Sequence, residues 1–363
     1  MYLSFLRYCL DSNSNNLVLE DVKSIDWQTM LSWAERQAIV GVIFNGIQKA
    51  DKSLKIPTEV LFKWIGYANL IEGNNRLLNK RCVELTEFLG QYGFDSCILK
   101  GQGNALMYPN PLWRASGDID VYVSQKSLKT QKDVIKAVIR LARLKEPRAK
   151  ACYHHVDYGN FNGVEVEMHY RPSFMFNPVH NYRLQRWFCK MAVGGCLMAE
   201  LPEGGGTIKV PDKEFNIIFQ LSHVYNHLLH EGIGLRQIID YYYLLKSNTN
   251  RTNDTNYFEI LQYLGLEKIA GAMMWMLHEK LGLEEEYLIA PMDKKRGKYV
   301  LNEILRGGNF GYYDENNKKA DSPFKKNIQR LKRDIRMMRY FPSECLWEPI
   351  FRVYHFFWRL RYN

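Results

Sequence analysis

Several features that would assign this chain to a familiar class are missing from its sequence. The seven cysteines are irregularly spaced and form no CxxC pair, which argues against a disulfide framework or a structural zinc site. No stretch approaches eighteen apolar residues, so we expect no membrane span. The N-terminus soon turns polar and lacks a small-residue cleavage pattern, so we expect no signal peptide. Together these absences favour a reduced, cytoplasmic protein.

The size and composition are those of a folded protein with more than one core. The chain has 363 residues, which exceeds the usual size of a single hydrophobic core and favours at least two domains. Hydrophobic residues make up 46% and charged residues 24%, both ordinary for globular proteins. This composition argues against large-scale disorder.

The positive charge is concentrated near the C-terminus. From Lys318 to Asn363 there are twelve lysine or arginine and four aspartate or glutamate residues, a net +8 of the chain's +10. Such a segment can meet phosphate, an anionic membrane or an acidic partner, or it can be a solvated helix face. The run Lys325–Tyr340 mixes basic and apolar residues at helical spacing, which is compatible with RNA binding. The aromatic residues that follow suit a stacking platform, an interfacial helix or, most simply, core.

The pattern of apolar residues predicts an α+β protein with three zones. Residues 1–94 and 211–363 show helical apolar spacing, whereas residues 95–210 alternate between short strands and helices. We therefore expect a small mixed β-sheet core flanked by N-terminal helices and a C-terminal helical domain. The glycines and prolines between Pro202 and Pro211 indicate a loop near the second boundary.

Two aspartates stand out in the segment Asp118-Ile119-Asp120. On a strand, residues two apart point to the same face, so the two carboxylates would lie side by side while Ile119 faces the core. Two such anions repel each other unless a cation lies between them, and Mg²⁺ prefers carboxylate and phosphate oxygens. The alternative is a pair of solvated aspartates at a strand end.

A second alternating segment supplies another carboxylate. Val164, Val166 and Met168 alternate with Glu165, Glu167 and His169, which indicates a strand with one buried and one polar face. If Glu167 lay beside the two aspartates, the three carboxylates would be enough to hold two Mg²⁺ ions for an in-line displacement. Otherwise the polar face is simply exposed.

The segment Leu99-Lys100-Gly101-Gln102 joins a predicted buried strand to a turn. A glycine at this point allows the backbone to approach a ligand closely. If Gln102 opens a helix, free N–H groups there would favour phosphate oxygens. Lys100 and Arg114 would add positive charge, and surface charge is the alternative for both.

These motifs resemble those of a known family. Leu99-Lys100-Gly101, Tyr108-Pro109, Arg114 and Gly117-Asp118-Ile119-Asp120 are similar to the motifs of bacterial uncharacterised nucleotidyltransferases, a branch of the DNA-polymerase-β-like superfamily. The later motifs agree as well, and they are Glu167-Met168-His169, Arg171, His223, His227, Gly234-Leu235-Arg236 and Asp240. The turn departs from the superfamily pattern, because Gln102 replaces the serine or glycine that often follows the first glycine.

The resemblance implies a function and a set of site residues. Asp118, Asp120 and Glu167 would be catalytic and would bind two Mg²⁺ ions, with Glu167 helping to activate the attacking hydroxyl. Lys100, Gly101, Gln102 and Arg114 would bind the NTP that donates the nucleoside monophosphate, and ATP is the expected donor. The acceptor stays open between a small molecule, RNA and a protein, and a catalytically inactive scaffold is a further alternative.

The remaining polar motifs have plainer interpretations. His154, His155 and His169 are compatible with proton transfer but more simply with hydrogen-bonded strand histidines. His223 and His227 share a helix face, and a structural role or a role at an acceptor pocket suits them. Arg236 and Asp240 are also four residues apart, which predicts an ion pair on a helix surface.

Overall fold

The protein is a mixed α+β protein, as the sequence predicts. A computed structural model describes residues 1–11, 22, 24–50, 54–191, 195–247, 256–314 and 322–363, so residues 318–321 of the basic segment lie outside the described residues. The helices of the described residues are α1 Tyr2–Leu10, α2 Trp27–Gln37, α3 Val40–Lys49, α4 Thr58–Gln91, α5 Gln102–Ala105, α6 Gln131–Lys145, α7 Pro178–Met191, α8 Lys213–His230, α9 Leu235–Lys246, α10 Tyr257–Leu264, α11 Glu267–Glu279, α12 Lys294–Gly307, α13 Pro323–Met338 and α14 Pro342–Tyr362. The strands are β1 Asp95–Ile98, β2 Ile119–Ser124, β3 His155–Phe161, β4 Val164–His169, β5 Cys196–Glu200 and β6 Thr207–Pro211.

Two compact units are formed by segments that are distant along the chain. The first unit comprises Met1–Asn74, Tyr108–Ala115 and His227–Arg333. The second comprises Asn75–Met107, Ser116–Asn226 and Asp334–Asn363. The division into domains 1–94, 95–210 and 211–363 stays a prediction.

The first unit is helical, and close contacts between its segments hold it together. The ring of Phe5 in α1 meets the edge of Trp27 in α2 with ring centroids 5.4 Å apart. Helix α3 packs tightly on the segment that follows α5, because a Cβ at Gly41 would lie only 2.0 Å from the carbonyl oxygen of Trp113. A side chain at position 41 is therefore incompatible with this packing.

A four-stranded sheet forms the centre of the second unit, in the order β1-β2-β4-β3. Strand β2 runs antiparallel to β1 and parallel to β4, and β3 and β4 are antiparallel. Ile119, Val121 and Val123 of β2 are buried, as the alternation predicts. Strands β5 and β6 form a separate hairpin, with β6 against β1. The small mixed sheet is thus confirmed.

Strand β3 was not among the predicted strands, although its turn carries a recognisable signal. Asn162 and Gly163 connect Phe161 to Val164 and both have positive φ, 49° and 97°. Two central residues with positive φ match the twist of the flanking strands, and Asn-Gly is the most favoured pair for such a turn. The dipeptide therefore indicated a hairpin that the alternation pattern alone did not reveal.

Helix α6 covers the sheet with an apolar face. Thr130 caps its N-terminus by accepting a hydrogen bond from the backbone N–H of Asp133. Ile135, Val138 and Ile139 are buried, whereas Lys136 and Arg140 are exposed. The helix also contacts β3, where Nζ of Lys145 lies 4.9 Å from the ring centroid of Tyr158. Within the described residues, no helix is both long and apolar enough to span a membrane.

Helix α14 is joined to the segment before α7 by a buried carboxylate. Glu344, 1% exposed, accepts hydrogen bonds from the backbone N–H groups of Phe176 at 2.6 Å and Asn177 at 3.0 Å. Its second oxygen lies 2.9 Å from Nδ1 of His180. The carboxylate therefore satisfies three nitrogens at the start of α7.

We expect Glu344→Ala to lower the free energy of unfolding by about 3 kcal/mol, because it leaves two backbone N–H groups without their acceptor. Denaturant titration of the full chain measures this change. Glu165→Ala is the matched control, since Glu165 is exposed on β4, and it should change stability by less than about 0.5 kcal/mol. Equal losses in the two variants would contradict the structural role of Glu344.

Candidate functional site

Three carboxylates converge on one edge of the central strands. In the parallel pair β2–β4, Asp120 lies opposite Glu167, and Asp118 immediately precedes β2. One carboxylate oxygen from each of the three residues lies within 4.8 Å of the others. The structure thus brings together Asp118, Asp120 and Glu167 as the sequence predicts, and we call these residues the carboxylate cluster.

The carboxylate of Asp120 is buried between two nitrogen bases. Asp120 is 2% exposed. One of its carboxylate oxygens lies 3.1 Å from Nζ of Lys100, and the other lies 3.0 Å from Nε2 of His169. The same imidazole nitrogen is 3.4 Å from Glu167. A buried carboxylate is stable only when it is paired in this way, so Lys100 and His169 maintain the charged form of Asp120.

The three carboxylates differ in how easily they are protonated. Repulsion by Asp120, together with burial, raises the pKa of Asp118 above its ordinary value. Burial alone would raise the pKa of Asp120, but Lys100 and His169 outweigh it and lower that pKa. Burial would also raise the pKa of Glu167, but His169 and His155 together outweigh it and lower that pKa. Asp118 is therefore the carboxylate of the cluster that takes up a proton most readily.

A chain of nitrogen and sulfur groups continues from the cluster along β3. Nδ1 of His155 lies 3.4 Å from Glu167, and its Nε2 lies 3.2 Å from Asp157. The same Nδ1 of His155 is also 3.0 Å from Nε2 of His154. Nδ1 of His154 is in turn 3.4 Å from Sγ of Cys152. Burial would lower the pKa of His155, but Cys152 and Asp157 outweigh it and raise that pKa.

The two histidines predicted to share a face of α8 have different partners. Nε2 of His223 lies 3.0 Å from Nζ of Lys100, so this imidazole is one contact removed from Asp120. His227 instead lies 3.5 Å from the carboxylate of Glu231. The first is therefore placed to support Lys100, whereas the second takes part in an intrahelical pair.

The turn after β1 has the backbone conformation that its glycine suggested. Gly101 has φ 58° and ψ −109°, a combination that disfavours a side chain, and a Cβ there would lie 3.6 Å from the carbonyl oxygen of Asp118. The turn therefore lies beside the carboxylate cluster. Gln102 opens the single turn α5, and its buried side chain donates to Asn79 of α4. Its side chain thus anchors the turn.

Arg114, predicted to bind phosphate, lies in the first compact unit and has a carboxylate partner there. Its guanidinium makes two 2.7 Å hydrogen bonds with the buried carboxylate of Asp240, which also accepts from the hydroxyl of Tyr108 at 2.6 Å. The predicted position of Asp240 on the helix surface is wrong, because Asp240 is only 4% exposed, and Arg236 donates to the carbonyl oxygen of Ala115. The binding of phosphate by Arg114 stays a prediction.

Sequence patterns did not reveal the cations around Asp120. Lys100 was assigned to phosphate, but its contact with Asp120 depends on the antiparallel pairing of β1 and β2. His169 follows Glu167 at strand spacing, which was the available signal that both side chains lie on one face. Cys152 lies within three residues of His154 and His155, which was an available local signal, and the chain path into β3 brings their ligand atoms within 4.8 Å of one another.

The fold and the cluster define a class: an α+β protein whose mixed sheet presents three carboxylates suited to cation binding. The chain belongs to the family described as uncharacterised nucleotidyltransferase, whose model matches residues 23–282. No curated protein matches the chain. A crystal structure of an antigenic nucleotidyltransferase-like protein from Paracoccidioides brasiliensis is similar at a TM-score of 0.34 and 11% identity, covering 62% of this chain and 95% of that one. A likeness of this strength does not indicate a function.

We expect Arg114→Met to destabilise the protein by about 3–5 kcal/mol, because it leaves a buried carboxylate without its ion partner. Burial would raise the pKa of Asp240, but Arg114 outweighs it and lowers that pKa. The contribution of this pair is therefore present above about pH 4, the ordinary range of aspartate, and is lost as the pH falls further. Denaturant titrations at neutral and acidic pH should show that the difference in unfolding free energy between wild type and Arg114→Met becomes smaller in acid.

Two further variants complete this experiment. Arg114→Met/Asp240→Leu should recover part of the loss, since it removes the unpaired charge. Lys298→Met, at an exposed position of α12, should leave the unfolding free energy within about 0.5 kcal/mol of wild type. A pH-independent effect of Arg114→Met would argue against the ion pair as its cause.

Proposed function

We propose that the protein is a metal-dependent nucleotidyltransferase of the polymerase-β type. It would transfer a nucleoside monophosphate from an NTP to a hydroxyl group of an acceptor, and we propose ATP as the donor. The observation that carries the proposal is the convergence of Asp118, Asp120 and Glu167 within 4.8 Å in a chain of the nucleotidyltransferase family. Family membership supports nucleotidyl transfer, and the cluster supports its dependence on metal.

The donor set of the cluster fits hard divalent cations. Its three side chains offer only carboxylate oxygens, the ligands that Mg²⁺ prefers. The raised pKa of Asp118 reflects negative charge that the surrounding bases have not neutralised. Two Mg²⁺ ions bound by Asp118, Asp120 and Glu167 would neutralise the triphosphate and stabilise the charge on the attacking and leaving oxygens.

The residues of the chain contribute position and charge. The acceptor oxygen forms a bond to the α-phosphorus, the bond from that phosphorus to the bridging oxygen breaks, and pyrophosphate leaves. Lys100 supplies positive charge next to Asp120, and the turn at Gly101 allows the backbone to approach the phosphates. Glu167 would help to activate the acceptor hydroxyl by accepting its proton, and its lowered pKa favours release of that proton to solvent.

We expect Asp118→Asn to weaken Mg²⁺-dependent NTP binding by more than about 100-fold. Loss of a group that only orients a metal ligand weakens metal affinity by about 10–100-fold, and loss of the metal ligand itself should cost more. Asp118 is the preferred position, since its side chain is more accessible than that of Asp120, whose replacement also removes the partner of Lys100. Calorimetric titration with each NTP, with and without Mg²⁺, measures the change. Thermal stability without ligand shows whether each variant is folded.

Glu165→Gln is the matched control for this experiment. Glu165 lies on the same strand as Glu167 but is exposed and outside the carboxylate cluster, so binding should stay at the wild-type level. The metal-site assignment fails if Asp118→Asn binds Mg²⁺–NTP as tightly as wild type does. Absence of NTP binding by wild type would favour a scaffold that has lost turnover.

One surface of the second unit favours RNA as a second candidate for the acceptor. Two cavities of about 600 and 330 Å³ share Arg361 and Tyr362 of α14. The larger one is also lined by Lys136, Arg140 and Arg143 of α6, and no acidic residue occurs among the described residues that line either cavity. We call this surface the α6–α14 groove.

The groove combines cations with aromatic rings. Its smaller cavity is lined by Lys132 and Arg171 together with Tyr354, Phe357 and Trp358. Basic side chains attract the phosphates of a single strand, and exposed rings can stack on its bases. Only Arg361 and the aromatic residues belong to the basic C-terminal segment that the sequence indicated. The cations of α6 join them through the fold.

We expect Lys136→Ala/Arg140→Ala to weaken binding of a short single-stranded RNA at least tenfold. The salt dependence should also become shallower, by about one unit of slope for each phosphate that a removed cation neutralised. Fluorescence anisotropy at several salt concentrations measures both quantities.

Lys325→Ala/Lys326→Ala is the control for RNA binding, because it removes equal charge from exposed positions of α13 that do not line the groove. This double variant should bind the RNA nearly as tightly as wild type does. Equal effects of the two double variants would contradict the groove as the binding surface and leave a small-molecule or protein acceptor as the alternative.

A further inference from the structure

We propose that Cys152, His154 and His155 form a second metal site, selective for zinc or a related transition metal. The proposal does not rest on nucleotidyl transfer. One potential ligand atom from each of these residues lies within 4.8 Å of the other two. They provide one sulfur and two imidazole nitrogens, which suit borderline metals such as Zn²⁺ rather than Mg²⁺.

The distances within this group are close to those of a tetrahedral centre. Zinc bonds of about 2.0–2.3 Å place neighbouring ligand atoms roughly 3.5 Å apart. Sγ of Cys152 lies 3.4 Å from Nδ1 of His154, and Nε2 of His154 lies 3.0 Å from Nδ1 of His155. These two contacts use opposite nitrogens of His154, and a metal ion would take only one of them, so the ring of His154 must rotate before all three residues can bind the same ion.

His155 has the outer partner that is usual for a metal-bound histidine. Its Nε2 lies 3.2 Å from the carboxylate of Asp157, which directs Nδ1 towards Cys152 and His154. A carboxylate on the far nitrogen fixes the ring and makes the near nitrogen a better ligand. This arrangement distinguishes the group from a chance meeting of polar side chains.

The backbone of the loop is already held in place. The N–H of Cys152 donates to the carbonyl oxygen of His155 at 2.9 Å, and the N–H of Tyr170 donates to that of His154 at 3.0 Å. The hydroxyl of Tyr170 also donates to the carbonyl oxygen of His155 at 2.9 Å, and the N–H of Tyr153 donates to His355 at 3.1 Å. Metal binding would therefore require little ordering of the chain.

Three protein ligands leave one tetrahedral position for water or a further side chain. Oxygen Oε2 of Glu167 lies 3.4 Å from Nδ1 of His155, so the second site would adjoin the carboxylate cluster. The two sites nonetheless differ in chemistry, because only the second one includes a thiol. A probe that reports sulfur ligation can therefore distinguish them.

Cobalt substitution tests the proposal. The full-length protein, freed of metal with a chelator, is titrated with Co²⁺ while its absorption spectrum is recorded. We expect about one equivalent to give tetrahedral visible bands and a near-ultraviolet thiolate-to-cobalt band, and Zn²⁺ should abolish both. Cys152→Ser should lose the thiolate band, and His155→Ala should weaken Co²⁺ binding at least tenfold.

Two controls make the outcome specific. Cys189→Ser changes an exposed cysteine outside the group and should keep the full spectrum. Asp118→Asn should also keep the thiolate band, which separates this site from the carboxylate cluster and from the proposed activity. Absence of the thiolate band in wild type, or its persistence in Cys152→Ser, would overturn the proposal.

Discussion

The rest of the site depends on the burial of one carboxylate. Asp120 lies between Lys100 at 3.1 Å and His169 at 3.0 Å, and it is almost inaccessible to solvent. Burying an ionised carboxylate costs several kcal/mol unless opposite charge and hydrogen bonds offset the loss of hydration. The segment after β1, the start of β2 and the end of β4 must therefore take up their positions together.

This charge balance also determines how the carboxylate cluster can meet a cation. Lys100 and His169 already occupy the oxygens of Asp120, so a divalent ion must compete with them for the same atoms. Asp118 has no comparable protection, and its raised pKa records the repulsion from Asp120. Cation binding would thus relieve a repulsion at Asp118 while it replaces an ion pair at Asp120.

Local patterns predicted the elements that carry the cluster but not every strand beside them. The alternation around Asp120 and Glu167 marked β2 and β4, because one buried face imposes a period of two on a strand. Strand β3 was missed in spite of the Asn162-Gly163 turn that leads into β4. Its alternation of polar and apolar residues is interrupted by the register shift between Asp157 and Gly159, so the period of two does not run through the whole strand.

Ion pairs between residues that are distant in the sequence could not be predicted from local spacing. Arg114 looked like a free cation, yet it pairs with Asp240, which is 126 positions away. Asp240 in turn looked like an exposed partner for Arg236, its neighbour on the helix, but it is buried and its carboxylate accepts two hydrogen bonds from Arg114. Helical spacing describes only which side chains are near each other on one helix, and it does not reveal which of them become buried.

The sequence by itself determined the α+β class, the two strands with acidic faces and the glycine turn at Gly101, because each depends on the local backbone and its pattern of burial. Only the tertiary structure decided that Lys100 and His169 neutralise Asp120 and that the sequence neighbours Cys152, His154 and His155 turn their side chains towards one another. Electrostatic and ligand contacts act over a few ångströms, and the fold alone decides which side chains come that close.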